Sequence, residues 1–65
     1  VSKYPNVTVQ LTGKDGNAFA VLGTVSNALR QAGVADDIRL LFIAEATEGD
    51  YDHLLSTCME WVEVQ

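Results

Sequence analysis

The feature that most constrains the fold is a change of hydrophobic period across one turn. Val7, Val9 and Leu11 alternate with Thr8, Gln10 and Thr12, and a period of two carried by β-branched residues reads as a half-buried strand. Pro5 stands before it, where a missing N–H costs little. Gly13-Lys14-Asp15-Gly16 ends the strand, and from Asn17 the period lengthens. Ala18, Leu22, Val25, Leu29 and Ala32 recur at alternating spacings of four and three, with Val21 and Ala28 widening the stripe. This pattern predicts an amphipathic helix with Asn17 as N-cap. Gly33 follows it, where a left-handed C-cap favours glycine. Gly23 lies inside the helix at a cost of ~1 kcal/mol against alanine, and close packing is the expected reason. A competing arrangement is a hairpin turning at Asp15-Gly16, with Ala18 to Leu22 as its second strand. The apolar stripe runs through Gly23 unbroken and favours the helix.

Asp36 or Asp37 begins a second helix, acid at the positive helix end. Ile38, Leu41, Phe42 and Glu45 share one face, while Leu40, Ile43 and Ala44 make most of the other sides apolar. A helix of this kind is expected to be buried on two sides, by its own domain and by another copy. Gly49 stops it. Asp50 caps a third helix in which Tyr51, Leu54, Leu55, Cys58 and Val62 have core spacing. The tail Val62-Glu63-Val64-Gln65 alternates again and reads as a short strand. The expected fold is α/β (α+β), a single domain over residues 1–65. It has a small two-stranded sheet covered by three helices in the order β-α-α-α-β, and dimerisation could extend the sheet. The valines of both strands should face the helices. Thr8, Gln10, Thr12 and Glu63, with Trp61 a candidate to join them, should face away.

Size and charge narrow the function. A chain of 65 residues buries only ~60% of its unfolded surface, and domains this small usually lean on disulfides, a metal or oligomerisation. One cysteine makes no internal bridge. A lone His53 and a lone Cys58 do not furnish an ordinary four-ligand zinc site. Oligomerisation and a well-packed core remain, the latter supported by an apolar fraction of 48%. Nine acids against four Lys and Arg leave a net charge of −5. That charge repels phosphate backbones, so direct nucleic-acid binding is not expected, and it favours basic partners. The single thiol and the absence of an apolar run of signal-peptide length point to a reducing cytoplasm. The longest apolar run, Leu40 to Ala44, is too short to span a bilayer.

Each reactive-looking residue has a structural explanation beside it. Gly13-Lys14-Asp15-Gly16 lacks the length and the Gly-Lys-Ser/Thr ending of a phosphate loop, and reads as a turn. Asp50-Tyr51-Asp52-His53 offers two acids, a phenol and an imidazole suited to proton transfer. Yet Asp50 is explained as a cap, Tyr51 as core and Asp52 as helix-end charge, and His53 could return a capping contact. Adjacent residues on a helix point apart, so Asp52 and His53 make a poor metal pair. Cys58, five residues from His53, reads as a buried inert thiol. Trp61 either plugs the edge of the core or lies exposed as an anchor for another chain, since large aromatics dominate interface energetics. The acids Asp36, Asp37, Glu45, Glu48, Asp50 and Asp52 cluster in the second half. They form either a solvated surface or an acidic face that imitates phosphates or docks a basic protein.

Three runs carry a resemblance. They are Asp15-Gly16-Asn17-Ala18-Phe19 with Leu22-Gly23, then Ala28-Leu29-Arg30-Gln31-Ala32-Gly33, then Gly49-Asp50-Tyr51-Asp52-His53-Leu54-Leu55 leading to Trp61-Val62-Glu63-Val64. From about Val7 to Val64 the chain resembles a group of small uncharacterised acidic proteins encoded in bacterial and phage genomes. The resemblance implies a mobile-element origin and carries no activity, cofactor or catalytic residue with it. Leu40 stands where such proteins are expected to place a polar residue, which implies an interface particular to this chain.

The expected function is therefore that of a small interaction module. It would act by protein–protein association through its sheet edge or acidic surface, with no cofactor. A homodimer and a basic host protein are the candidate partners. Leu40, Ile43, Tyr51, His53 and Trp61 are the candidate partner-binding residues. The alternative is a small enzyme or ligand-binding protein using Tyr51 to His53; a deep pocket around His53 would favour it.

Overall fold

A computed structural model describes residues 2–11 and 17–65. Thr12 and the turn expected at Gly13-Lys14-Asp15-Gly16 lie outside the described residues. The elements are β1 (Tyr4–Val9), α1 (Ala18–Gln31), α2 (Asp36–Ala46), α3 (Tyr51–Trp61) and β2 (Val62–Val64). The order is β-α-α-α-β, as the hydrophobic patterning predicts. The competing hairpin is overturned, because Ala18 to Leu22 is helix.

β1 and β2 pair in parallel. Parallel partners need a long crossover, and the three helices supply it. The register pairs Tyr4 with Val62, Thr8 with Glu63 and Val9 with Val64. Between Tyr4 and Thr8 the partner strand advances by a single residue, so β1 bulges there. Pro5, expected ahead of the strand, sits inside it, exposed, within this irregular stretch. A bulge accommodates a residue with no N–H to give. Val7, Val9 and Val62 are buried and Val64 half-buried, while Thr8 and Glu63 are exposed, so the valines do face the helices.

The core gathers Val7 and Val9 of β1, Val21, Val25 and Leu29 of α1, Phe42 and Ala46 of α2, Leu54, Cys58 and Trp61 of α3, and Val62. In α1 the buried line is Val21-Val25-Leu29, with Ala18, Leu22 and Ala28 half-buried and Ala32 exposed. The core stripe is therefore rotated from the one centred on Leu22. Asn17 caps α1 by accepting from the N–H groups of Phe19 (2.9 Å) and Ala20 (3.4 Å). The C-terminus closes with Gly33 at φ +89°. Gly33 N–H donates to Arg30 O, and Val34 N–H to Leu29 O, both at 3.0 Å. This is the paired-bond helix ending that left-handed glycine permits.

In α2 the residue before the helix, Ala35, gives no side-chain cap, and Asp36 and Asp37 fall in the first turn. Arg39 pairs with Asp36. In α3 the Asp50 carboxylate accepts from His53 N–H at 2.9 Å, the expected cap. No connecting residue separates α3 from β2, so the end of the helix directly fixes the strand. Among the described residues no helix is long and apolar enough to cross a membrane.

Gly23 departs from expectation. It is exposed, and a Cβ built there meets nothing within 4 Å. Close packing is not its reason, and nothing in the structure explains it. Gly23→Ala should therefore stabilise the protein by about 1 kcal/mol. In a domain of this size that corresponds to a rise in melting temperature of roughly 4–8 °C, readable in a thermal melt by circular dichroism. An unchanged or lowered melting point would contradict the open surroundings of the residue.

Candidate functional site

Trp61 organises the end of the molecule where α2, α3 and the two strands meet. Its side chain is 3% exposed, so it plugs the core edge and does not face outward beside Glu63. Its ring meets Phe42 of α2 edge-on (centroids 5.5 Å, 68°) and stacks on Tyr4 of β1 (6.1 Å, 22°). Such pairs add about 0.5–1.5 kcal/mol beyond buried area. The Lys3 ammonium lies 4.2 Å from the indole centroid, within cation–π range. Lys3 is held there by the chain around it. Its N–H donates to Glu60 O at 2.9 Å, and the hydroxyl of buried Ser2 donates to Glu63 Oε2 at 2.7 Å. One polar atom of the cluster is unsatisfied. The indole N–H is buried and has no partner among the described residues, a situation costing about 1–3 kcal/mol.

Trp61 and Lys3 border an open cleft of about 520 Å³, completed by Leu41, Ala44, Glu45 and Glu48 around the C-terminal end of α2 and by His53 of α3. His53 is half-buried. Its Nε2 lies 2.8 Å from the Glu45 carbonyl oxygen. A carbonyl only accepts, so Nε2 carries the proton, and His53 satisfies a C-terminal carbonyl of α2. The imidazole does not return a contact to Asp50, as the sequence suggested it could, but reaches across to α2. The Thr57 hydroxyl donates to His53 O at 2.8 Å, which settles that buried polar group within α3. Gly49 makes the arrangement possible, because a Cβ there would lie 2.9 Å from His53 Cβ. Its glycine is thus required by close approach, while α2 itself ends earlier than the sequence suggests, at Ala46 with Thr47 as C-cap.

The expected site residues separate into two groups. Leu40 is exposed, and His53 and Trp61 line the cleft. Ile43 and Tyr51 are half-buried and pack on the core. Tyr51 and His53 are two positions apart on a helix and face different ways, so the phenol does not join the imidazole at the cleft. Among the described residues no group of three or more His, Cys, Asp or Glu is arranged to hold a metal ion.

Leu41 corrects the sequence reading. Placed on one face with Ile38 and Phe42, it does not share their burial: it is 63% exposed, beside Leu40 at 65%. α2 is apolar on nearly every side, and its period alone could not choose the buried one. Lys3 and Ser2 were also missed. Their partners, Glu60, Trp61 and Glu63, are far off in sequence, and no local pattern announces them.

Comparison with known proteins leaves the site to be argued from its own geometry: no family model, curated protein or solved structure matches the chain.

Two predictions arise here. Trp61→Ala removes the ring shared by β1, α2 and α3. It should cost ~3–5 kcal/mol, enough to abolish most of the stability of a small domain. Loss of the circular dichroism signal or a sharply lowered urea midpoint would show it; a variant as stable as the parent would place Trp61 outside the core. The second concerns Cys58, buried at the centre of α3. Burial pushes its thiol from the ordinary value of 9.0 up to about 11. At pH 8 the native thiol should react with a disulfide reagent roughly a hundredfold more slowly than the unfolded chain. Because the folded value is raised, the unfolded thiol ionises first as pH climbs. The stability from this group is complete below about pH 9 and is lost toward pH 11.

Proposed function

We propose that this chain is a binding module that works by protein–protein association through the outward face of α2 and the cleft beside it. The observation that carries the reading is the exposure of two consecutive leucines, Leu40 and Leu41, at 65% and 63% on one helix. Ala44, also exposed, lies one turn on from Leu40 and lines the cleft with Leu41. Among the described residues the other large exposed apolar side chains are Phe19 on α1 and Met59 on α3. A contiguous apolar patch is the usual mark of an interaction surface.

The sheet is the less suitable surface. Its β2 strand is three residues long, and β1 carries both Pro5 and a bulge. Short strands, proline and bulges are the devices by which proteins blunt sheet edges against pairing. Of the acids clustered in the second half, four stand at the ends of the α2 face, Asp36 and Asp37 at one and Glu45 and Glu48 at the other, which supports the reading of this face as a docking surface.

The test is a capture experiment from the native cell with three baits. These are the parent, the Leu40→Glu/Leu41→Glu double variant, and a Thr8→Lys control on the exposed side of β1. Both leucines are exposed, so the double variant should fold, which circular dichroism checks. Proteins held by the parent and by Thr8→Lys but lost by the α2 variant are expected. Equal capture by all three baits would remove α2 from the function.

A further inference from the structure

We infer that the α2 face and its cleft dock a basic amphipathic segment of another protein, in preference to a second copy of this chain. The inference rests on the reading of α2 as the association surface and adds the chemistry of the partner. The stripe Leu40, Leu41 and Ala44 calls for apolar side chains opposite it. The charges at its ends decide what else those side chains travel with. Asp36 and Asp37 stand at the N-terminal end, and Glu45 and Glu48 at the C-terminal end. Against these four carboxylates are Arg39, paired with Asp36, and Lys3, placed over the Trp61 ring. Each end keeps a net negative charge.

A second copy laid on this face meets that charge in either orientation. Packed antiparallel, Asp36 and Asp37 of one chain face Glu45 and Glu48 of the other. Packed parallel, each acidic pair faces itself. Like charges across an interface select against that partner. A segment with lysines or arginines near both ends of an apolar stripe turns the same positions into attractions. At 1.5 Å per residue α2 is about 16 Å long, so a matching helix needs about three turns, with cations about ten residues apart. The cleft adds a recess at one end of the stripe. Trp61 lines it, and the indole N–H of that residue has no acceptor among the described residues.

Trp61 is the only tryptophan in the chain, so its fluorescence reports on the cleft directly. The probes are two synthetic helical peptides without tryptophan, both with leucines at core spacing, one with lysines and one with glutamates at the remaining positions. The lysine peptide should shift Trp61 emission and bind at least about tenfold more tightly than the glutamate peptide, with affinity falling as salt rises. Leu40→Glu/Leu41→Glu should abolish the shift, and the parent should sediment as a monomer at micromolar concentration. Equal binding of the two peptides, or no binding of the lysine peptide, overturns the basic partner. So does a parent dimer that Leu41→Glu dissociates, although that result would keep α2 as the association surface. The capture comparison fails on different grounds, so the partner chemistry and the location of the surface are judged separately.

Discussion

The structure depends on how one indole ring is held. Trp61 is the last residue of α3, and the next residue already belongs to β2. Stacked on Tyr4 and met edge-on by Phe42, it ties β1, α2 and α3 together at the point where helix becomes strand. A three-residue strand has little hydrogen bonding of its own with which to choose a register. The position of β2 is set instead by where α3 ends, and Trp61 fixes that end. The bulge in β1 follows as an accommodation, because an irregular strand with a proline must pair with a partner already placed by the core.

The same ring sets the charge pattern of the candidate site. Lys3 lies over the indole because Ser2 and Lys3 are bonded to Glu63 and Glu60. That brings a cation to a cleft whose lining also includes the acids Glu45 and Glu48. His53 occupies the opposite role. Its imidazole satisfies the Glu45 carbonyl, and Gly49 leaves room for it. The residue that looked most like a proton-transfer group in the sequence is thus a brace between α2 and α3, with one side in a cleft.

Helix α2 serves the core with one face and leaves apolar side chains in water on the other. Only Phe42 and Ala46 are fully buried, with Ile38, Arg39, Ile43 and Glu45 half-buried. The remaining apolar surface at Leu40, Leu41 and Ala44 exceeds what the small core covers. Exposing leucine is unfavourable by about 25 cal/mol for each Å² of apolar surface left in water. The face therefore has hydrophobic free energy still to gain, and acids stand at both of its ends.

The sequence by itself determined the order and kind of the elements. Period two at Val7 and Val9, period 3.6 through α1, Asn17 and Asp50 as caps and Gly33 as a left-handed ending are local signals, written within a few residues of the structure they specify. Of the residues the sequence offered for partner binding, Leu40 is exposed and His53 and Trp61 line the cleft. The sequence could not say that Trp61 points inward, that Leu41 points outward, or that Tyr51 and Ile43 serve the core. An eleven-residue helix that is apolar on most sides has no periodic signal to mark its buried face. That choice fell to the shapes of α1, α3 and the strands packed against it. Lys3 and Ser2 entered the site only because parallel pairing brings the start of the chain beside its end. Side chains separated by almost the whole sequence become neighbours through the closure of the fold, which no local pattern encodes.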